Sequence, residues 1–202
     1  MADETAAKRW RIFIAIEVPE KVREAIAGAQ KECIERMSEK CMKWARAEQF
    51  HLTLRFLGGV DPAALVELTS RLRQACANLR PLDLRCAGVG IFPERGRPRV
   101  LWVGVHDDAG SGLSQTFRGV AEASDGFGQE EPEKRFTGHV TLARCKDIDR
   151  PTATQARELV RQFSEREFGS WQATEVQLMR SELSARGAVH AVLERIHLGV
   201  KG

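Results

Sequence analysis

The chain contains no apolar run that approaches the roughly 18 residues needed to cross a membrane. Near the N-terminus a short apolar segment, 12–16, is soon interrupted by Glu17. The sequence therefore predicts a soluble protein that keeps its N-terminus and has no membrane partner. Neither a Gly-x-Gly-x-x-Gly nor a Walker-type loop is present, which removes the usual dinucleotide and nucleoside triphosphate sites.

Cysteine is scarce and unpatterned. The five cysteines, an odd number, include no Cys-x-x-Cys pair, which argues against both a disulfide framework and a zinc knuckle. A reducing, cytoplasmic location fits best, and each thiol is predicted to be a small core residue rather than a nucleophile. No metal and no cofactor are predicted.

The chain also lacks a large excess of charge of either sign, since it has 31 basic and 28 acidic residues and a net charge of +3. Such a balance does not describe a protein that coats long nucleic acid, although a local contact with one or two phosphates remains open. With 202 residues and 43% apolar content, the chain can bury a sizeable core as one domain or as two intimately packed lobes.

Helical and strand periodicities alternate along the chain, and several strands follow one another through turns. This order favours a mixed or antiparallel α+β architecture over a doubly wound parallel sheet. The predicted strands are 11–18, 42–46, 51–57, 82–91, 99–105, 136–145, 172–183 and 188–198. The predicted helices are 19–40, 62–79, 112–123 and 151–165. The last two strands are predicted to form a hairpin that turns at 185–187.

Two short strands carry the same tetrad type, His51-Leu52-Thr53-Leu54 and His139-Val140-Thr141-Leu142. Side chains alternate across a strand, so each His and Thr share one face while the apolar residues share the other. The polar faces can line a cleft while the apolar faces hold the core. With nine threonines in the chain, two such pairs among the histidines arise by chance in about 2% of sequences. The repeat predicts a pseudo-twofold duplicated arrangement.

Two imidazoles and two hydroxyls around one groove suit phosphodiester chemistry. In-line displacement at phosphorus places the attacking and leaving oxygens on opposite sides, so one imidazole can serve each. A neutral histidine removes a proton from water while a protonated one donates to the departing oxygen. Thr53 and Thr141 can donate to non-bridging phosphoryl oxygens.

Other side chains are weaker candidates. Phe50 and Phe92 are candidates to stack a base at the cleft rim, with core packing as the favoured interpretation of either. Arg95, Arg97 and Arg99 lie in a turn, where they can either grip the phosphates of a longer RNA or remain solvated. His106, His190 and His197 lack the His-x-Thr context and are predicted to have surface or packing roles.

Most of the chain resembles the two-histidine phosphoesterases, and within them the bacterial and archaeal RNA 2′,3′-cyclic phosphodiesterases, long called 2′-5′ RNA ligases. Besides the two tetrads, the likeness is carried by the segments 11–15, 43–44, 54–58, 90–93, 99–102, 136–144 and 178–198. The resemblance implies a single bilobal domain over 1–202, with two antiparallel sheets flanking a central cleft and helices on the outside. It further implies hydrolysis of cyclic phosphate ends to a 2′-phosphate.

The same resemblance implies roles for individual residues. His51 is expected to donate a proton to the leaving oxygen, and His139 to accept one from water. Arg144 corresponds to an arginine thought to neutralise the phosphate, although strict alternation from Thr141 would place it on the wrong face. The chain departs from the family in having Gly138 in place of a common proline, and His190 in place of an aromatic residue.

Three functions remain open from the sequence. The first is hydrolysis of the cyclic ends of RNA or of small cyclic nucleotides by a monomer without an obligatory protein partner. The second uses the same site on 2′-5′ linkages, as a 2′-5′ RNA ligase or a 2′-5′ oligonucleotide phosphodiesterase. The third is a module that binds RNA ends or nucleotides without turnover, against which the retention of titrating imidazoles argues.

Overall fold

The computed structural model describes residues 9–37, 42–108, 110–131, 135–146, 148–184 and 187–199. The described strands are β1 (Trp10–Glu17), β2 (Met42–Trp44), β3 (His51–Val60), β4 (Leu82–Phe92), β5 (Val100–Asp107), β6 (His139–Cys145), β7 (Glu167–Ala173), β8 (Glu175–Ser184) and β9 (Gly187–His197). The described α-helices are α1 (Glu20–Arg36), α2 (Leu65–Ala77), α3 (Gly112–Ala123) and α4 (Arg150–Gln162). Short 3₁₀ turns precede β3 and α2.

The strands form one antiparallel sheet in the order β7-β4-β5-β6-β3-β1-β8-β9, with β2 added to β6. One wing contains β7, β4, β5, β6 and β2, and the other contains β3, β1, β8 and β9. The two wings meet through a single described residue pair between β3 and β6, Leu52 opposite Val140. The α+β class is confirmed, while the two separate sheets expected from the resemblance are joined into one at this pair.

The helices pack on both wings of the sheet. On one wing α1 packs on β7 and α4 on β4, while on the other α2 and α3 pack together against β9 and β3. The apolar residues that recur along the α1 segment at three- and four-residue spacing are all buried, because helical spacing places their side chains on one face; they are Val22, Ile26, Ala29, Cys33 and Met37. No described helix is long and apolar enough to cross a membrane.

Strand β1 separates the core from the opposite face of the sheet. Ile12, Ile14 and Ile16 belong to the main core, whereas Phe13 and Ala15 form a small separate cluster with Met179. The period-two alternation of a strand gives this division directly. The apolar platform under the functional site is therefore built by the alternate residues of β1.

The buried cysteines agree with the core prediction. Cys33, Cys76, Cys86 and Cys145 are all buried, and Cys41 lies outside the described residues. Burial raises the pKa of Cys33 and Cys76 to about 11 and that of Cys86 to about 12. These three thiols are therefore protonated at neutral pH and unsuited to nucleophilic attack.

Some strand boundaries differ from prediction. Strand β3 continues to Val60 instead of ending before Gly58, which adopts a φ of +69° without leaving the ladder. Strand β7 was not predicted: the predicted strand 172–183 corresponds to β8, which begins at Glu175, and β7 lies at the edge of the sheet, where its burial shows no regular alternation. The β8–β9 hairpin is confirmed, although residues 185–186 of its turn lie outside the described part of the chain.

Candidate active site

The two His-x-Thr pairs begin neighbouring strands and meet across the junction between the wings. Leu52 lies opposite Val140 in an antiparallel pair, so His51 is placed beside Thr141, and His139 beside Thr53. His51 and His139 are then diagonal neighbours, and diagonal neighbours in an antiparallel pair are about 7–8 Å apart. Two imidazoles from distant parts of the sequence are thereby brought to a single point of the sheet.

A cleft of about 1260 Å³ opens above this junction, and His51, Thr53, His139 and Thr141 all line it. The apolar residues of the two tetrads are buried, with Leu52, Val140 and Leu142 fully inaccessible and Leu54, which also borders the cleft, nearly so. The alternation predicted from the sequence therefore holds in both strands. All four polar side chains therefore border the same cleft.

Each imidazole is oriented by the backbone two residues before it. The Nδ1 atom of His139 lies 2.8 Å from the carbonyl oxygen of Thr137, and the His51 ring has a backbone hydrogen bond with Gln49. A carbonyl only accepts, so Nδ1 of His139 carries the hydrogen and Nε2 is left to exchange a proton. This contact fixes both the tautomer and the direction of the His139 ring.

His51 is packed among rings. Phe13 lies beneath it with the ring centroids 5.0 Å apart, and His190 stands edge-on at 5.4 Å with an interplanar angle of 89°. Burial, followed by repulsion from His190 and weaker effects of His139 and Arg144, lowers the pKa of His51 to about 4. His51 is therefore neutral near pH 7 when no anion is bound.

His139 is supported by two aromatic residues of the β4–β5 hairpin. Phe92 meets it edge-on at 5.2 Å, and Trp102 lies behind at 6.2 Å. A Cβ atom on Gly90 would come within 2.1 Å of the Trp102 ring, so this position needs glycine for the indole to reach the site. Phe92 lines the cleft, where it can contact both His139 and a ligand.

A β-bulge follows each threonine. Leu54 is the extra residue of β3 between Thr53 and Arg55, and Leu142 is the extra residue of β6 between Thr141 and Ala143. Because a bulge shifts the alternation by one residue, Arg144 is turned to the cleft side, which it lines. The difficulty that strict alternation posed for Arg144 is thereby removed.

The corresponding residue of β3 is Phe56. It lies three residues after Thr53, as Arg144 does after Thr141, and the two strands share the same order of half-buried, buried and exposed positions over seven residues. Phe56 lines the cleft with 43% of its surface exposed. The sequence pattern does not single it out, because the bulge that turns it outward depends on pairing with β1.

Phe50 does not reach the cleft, so its candidacy as a base-stacking residue is wrong. Only 2% of its surface is exposed and it lies in the main core, in agreement with the core packing that the sequence favoured. Phe50 immediately precedes His51, and neighbouring residues of an extended chain point to opposite faces. The exposed aromatic ring on this strand is instead Phe56.

His190, for which the sequence predicts a surface or packing role, lies in the cleft. Its ring contacts both His51 and Phe13, and its buried Nδ1 atom has no hydrogen-bond partner among the described residues. Burial and the nearby Arg46 lower the pKa of His190. No local pattern signals this role, because His190 reaches the site only through the pairing of β9 with β8.

The segment before His139 is held by the backbone. The Gly138 carbonyl accepts a hydrogen bond of 2.9 Å from the Val105 amide, and a Cβ atom on Gly138 would lie 2.5 Å from the Val105 carbonyl oxygen. The chain therefore packs too closely here for a side chain. Glycine, in place of the common proline, allows the backbone at 138 to lie this close to Val105.

The cleft carries more positive than negative charge, with six basic side chains against three carboxylates among its described lining residues. The basic set is Arg11, Lys43, Arg46, Arg55, Arg135 and Arg144, and the acidic set is Glu94, Glu130 and Glu131. Such a surface concentrates anionic ligands. Across the described ranges, no group of three or more His, Cys, Asp or Glu side chains is arranged to hold a metal ion.

Comparison with known proteins places the chain in a family. The family described as LigT-like phosphoesterase matches residues 16–102 and 103–190. The RNA 2′,3′-cyclic phosphodiesterase of Aquifex aeolicus is 31% identical over 94% of this chain and 97% of its own length. The protein of the same name from Aeropyrum pernix is 35% identical over 80% of this chain and 89% of its own.

Solved structures agree on the fold. The structure of TT0787 of Thermus thermophilus has a TM-score of 0.75 and 27% identity, covering 95% of this chain and all of its own. The Escherichia coli LigT structure complexed with 3′-AMP has a TM-score of 0.72 at 22% identity, covering 95% of this chain and 99% of its own. With the family matched over most of the sequence, the chain belongs to the LigT-like phosphoesterases.

Proposed function

We propose that this protein hydrolyses 2′,3′-cyclic phosphate ends of RNA to 2′-phosphates. The observation that carries the proposal is the convergence of His51, Thr53, His139 and Thr141 on one cleft at the Leu52–Val140 pair. The names of the relatives give the substrate class, since several related proteins are called RNA 2′,3′-cyclic phosphodiesterases. RNA ends or small cyclic nucleotides are the expected ligands of a monomeric, cytoplasmic enzyme.

His139 is suited to the role of general base. Its Nδ1–H is held by the Thr137 carbonyl, so the lone pair of Nε2 is free to take a proton from water. The resulting hydroxide attacks phosphorus and a new P–O bond forms. The backbone contact with Thr137 then stabilises the doubly protonated ring, because the donated hydrogen bond strengthens as the ring becomes charged.

His51 is proposed as the general acid. As the bond between phosphorus and the ribose 3′ oxygen breaks, His51 gives that oxygen a proton, and the phosphate remains on the 2′ position. Without a bound anion its pKa of about 4 leaves it neutral near pH 7. The anionic phosphate raises that pKa, so protonation of His51 is coupled to substrate binding.

The remaining groups hold the phosphate and the base. Thr53 and Thr141 donate to non-bridging oxygens, and Arg144 faces the developing charge from the far side of the β6 bulge. Phe92 and Phe56, on opposite wings of the sheet, are placed to contact a base. Each proton transfer contributes about 10²–10⁴-fold in rate, and each hydrogen bond to a charged oxygen about 1.5–3 kcal/mol.

A single reaction tests the proposal. The protein is incubated with an oligonucleotide ending in a 2′,3′-cyclic phosphate, in excess EDTA, and the product is followed by phosphorus NMR. We expect a 2′-phosphate to appear, and His51→Ala or His139→Ala to slow its formation by about 10²-fold or more. His197→Gln is the matched control, because His197 is exposed and outside the cleft.

The alternative functions give different outcomes. Unchanged substrate across a range of pH would contradict hydrolysis and favour a binding module. A joined product in the presence of a 5′-hydroxyl oligonucleotide would indicate 2′-5′ ligation. Loss of turnover on adding chelator would contradict a mechanism in which His51 and His139 transfer the protons without a metal ion.

A further inference from the structure

A second, smaller groove of about 470 Å³ lies outside the cleft. One side is the tip of the β4–β5 connection, at Gly96 and Arg97. The other side is the beginning of α4, at Asp149, Arg150, Thr154 and Arg157. None of these residues lines the catalytic cleft.

The groove is strongly basic, with three guanidinium groups against one carboxylate among its described lining residues. The Asp149 carboxylate accepts a hydrogen bond of 2.8 Å from the Thr152 amide and so caps α4. Within the described ranges, Arg97, Arg150 and Arg157 form no ion pair with an acidic side chain. Their charge is therefore available to an anion.

Arg157 holds the groove together. Its guanidinium donates to the backbone carbonyls of Ala153 and Gly96, which fastens the connecting loop to α4. Neutral carbonyls orient the guanidinium but leave its positive charge uncompensated. Arg97 and Arg150 are exposed on either side of this clamp.

The groove adjoins the rim of the cleft. Glu94 lines the cleft and Gly96 lines the groove, and two residues span at most about 7 Å. On the other side, Arg144 lines the cleft and the chain reaches Arg150 six residues later. An RNA strand that leaves the cleft over this rim would pass the groove.

We propose that this arginine groove, formed by Arg97, Arg150 and Arg157, binds a backbone phosphate of the RNA strand on the 5′ side of the terminal cyclic phosphate. The inference rests on the proposed function, because the cyclic phosphate in the cleft is the 3′ end and the rest of the strand lies 5′ to it. Arginine forks bind phosphate oxygens in pairs. Contacts of this kind position a nucleic acid without reading its sequence.

The test compares two substrates on one double variant, Arg97→Ala with Arg150→Ala, leaving the Arg157 clamp intact. For an oligonucleotide with a 2′,3′-cyclic end we expect KM to rise about tenfold, which corresponds to about 1.4 kcal/mol. For a 2′,3′-cyclic mononucleotide we expect KM and kcat to stay unchanged. The slope of log KM against log salt should fall by about 0.7 for the oligonucleotide, since each neutralised phosphate of a single strand contributes about 0.7.

Arg118→Ala is the matched control, because Arg118 is an exposed arginine of α3 that lines neither cavity. Fluorescence anisotropy with a labelled oligonucleotide ending in an ordinary 3′-phosphate measures binding without turnover. This second readout separates the two proposals. If the wild-type protein binds this oligonucleotide but does not hydrolyse the cyclic-phosphate substrate, only the proposed function is contradicted. Equal oligonucleotide affinity in the wild type and the double variant would overturn the proposal that the arginine groove binds RNA.

Two further outcomes would also overturn it. Parallel losses on the mononucleotide and the oligonucleotide would place the effect of the substitutions in the cleft. Unchanged oligonucleotide binding together with lost binding of an acidic peptide would assign the groove to a protein ligand instead.

Discussion

The ring of His190 stands edge-on to the ring of His51, with centroids 5.4 Å apart and planes at 89°. The contact joins β9 to β3, although β1 and β8 lie between these two strands in the sheet. His51 is also influenced by His139 and Arg144 of β6 and by the Gln49 backbone, while Arg46 acts on His190. The protonation of the proposed acid is therefore set by several elements.

Replacing His190 should raise the pKa of His51. His190→Phe keeps a ring in place but removes the ring nitrogens that can carry a positive charge, so a small rise is expected. His190→Ala also admits water and relieves the burial that is the largest cause of the shift, so a larger rise is expected. An NMR titration of the His51 ring measures both, and the acidic limb of kcat/KM should move to higher pH in the same order. If the His51 ring titrates at the same pH in the wild type and in both variants, His190 does not influence the pKa of His51.

The buried His51 should make the protein less stable in mild acid. The unfolded chain protonates this ring near pH 6.5 and the folded protein near 4, so the unfolded state binds more protons between these values. Stability contributed by the neutral ring is therefore lost as the pH falls from about 6.5 to about 4. Thermal unfolding should show a flatter Tm against pH in His51→Gln than in His197→Gln or the wild type. Equal slopes would show that His51 does not resist protonation.

The threonine hydroxyls should matter for the reaction and little for folding. Thr53→Val and Thr141→Val each remove one donor to the phosphate, and about 1.5–3 kcal/mol of lost hydrogen bonding corresponds to roughly a ten- to hundredfold drop in kcat/KM. Thr174→Val, at an exposed threonine outside the cleft, is the control. A drop confined to Tm would assign the two hydroxyls to structure alone.

Phe56 should contribute to nucleotide binding and Phe50 should not. Stacking of a base on an aromatic ring contributes about 1–3 kcal/mol, so Phe56→Ala should raise KM for a cyclic mononucleotide by about fivefold or more. Phe50→Leu should lower Tm through the core and leave KM unchanged. A KM effect limited to Phe50→Leu would reverse the assignment.

Much of the fold was predictable because it depends on local periodicity. The apolar stripe of α1, the bounds of α3 and the alternation at both His-x-Thr pairs follow from spacings of 3.6 and 2 residues, which the chain carries in any context. Strand β7 was less predictable, because its exposed edge placement removes the pressure for an alternating pattern.

The sequence by itself determined that two imidazoles and two hydroxyls share polar strand faces, since alternation is a property of the backbone. Only the tertiary structure decided that Leu52 pairs with Val140, that bulges at Leu54 and Leu142 turn Phe56 and Arg144 into the cleft, and that His190 meets His51. These relationships arise from contacts between strands far apart in the chain. Their energies depend on packing and burial, which no local pattern of residues records.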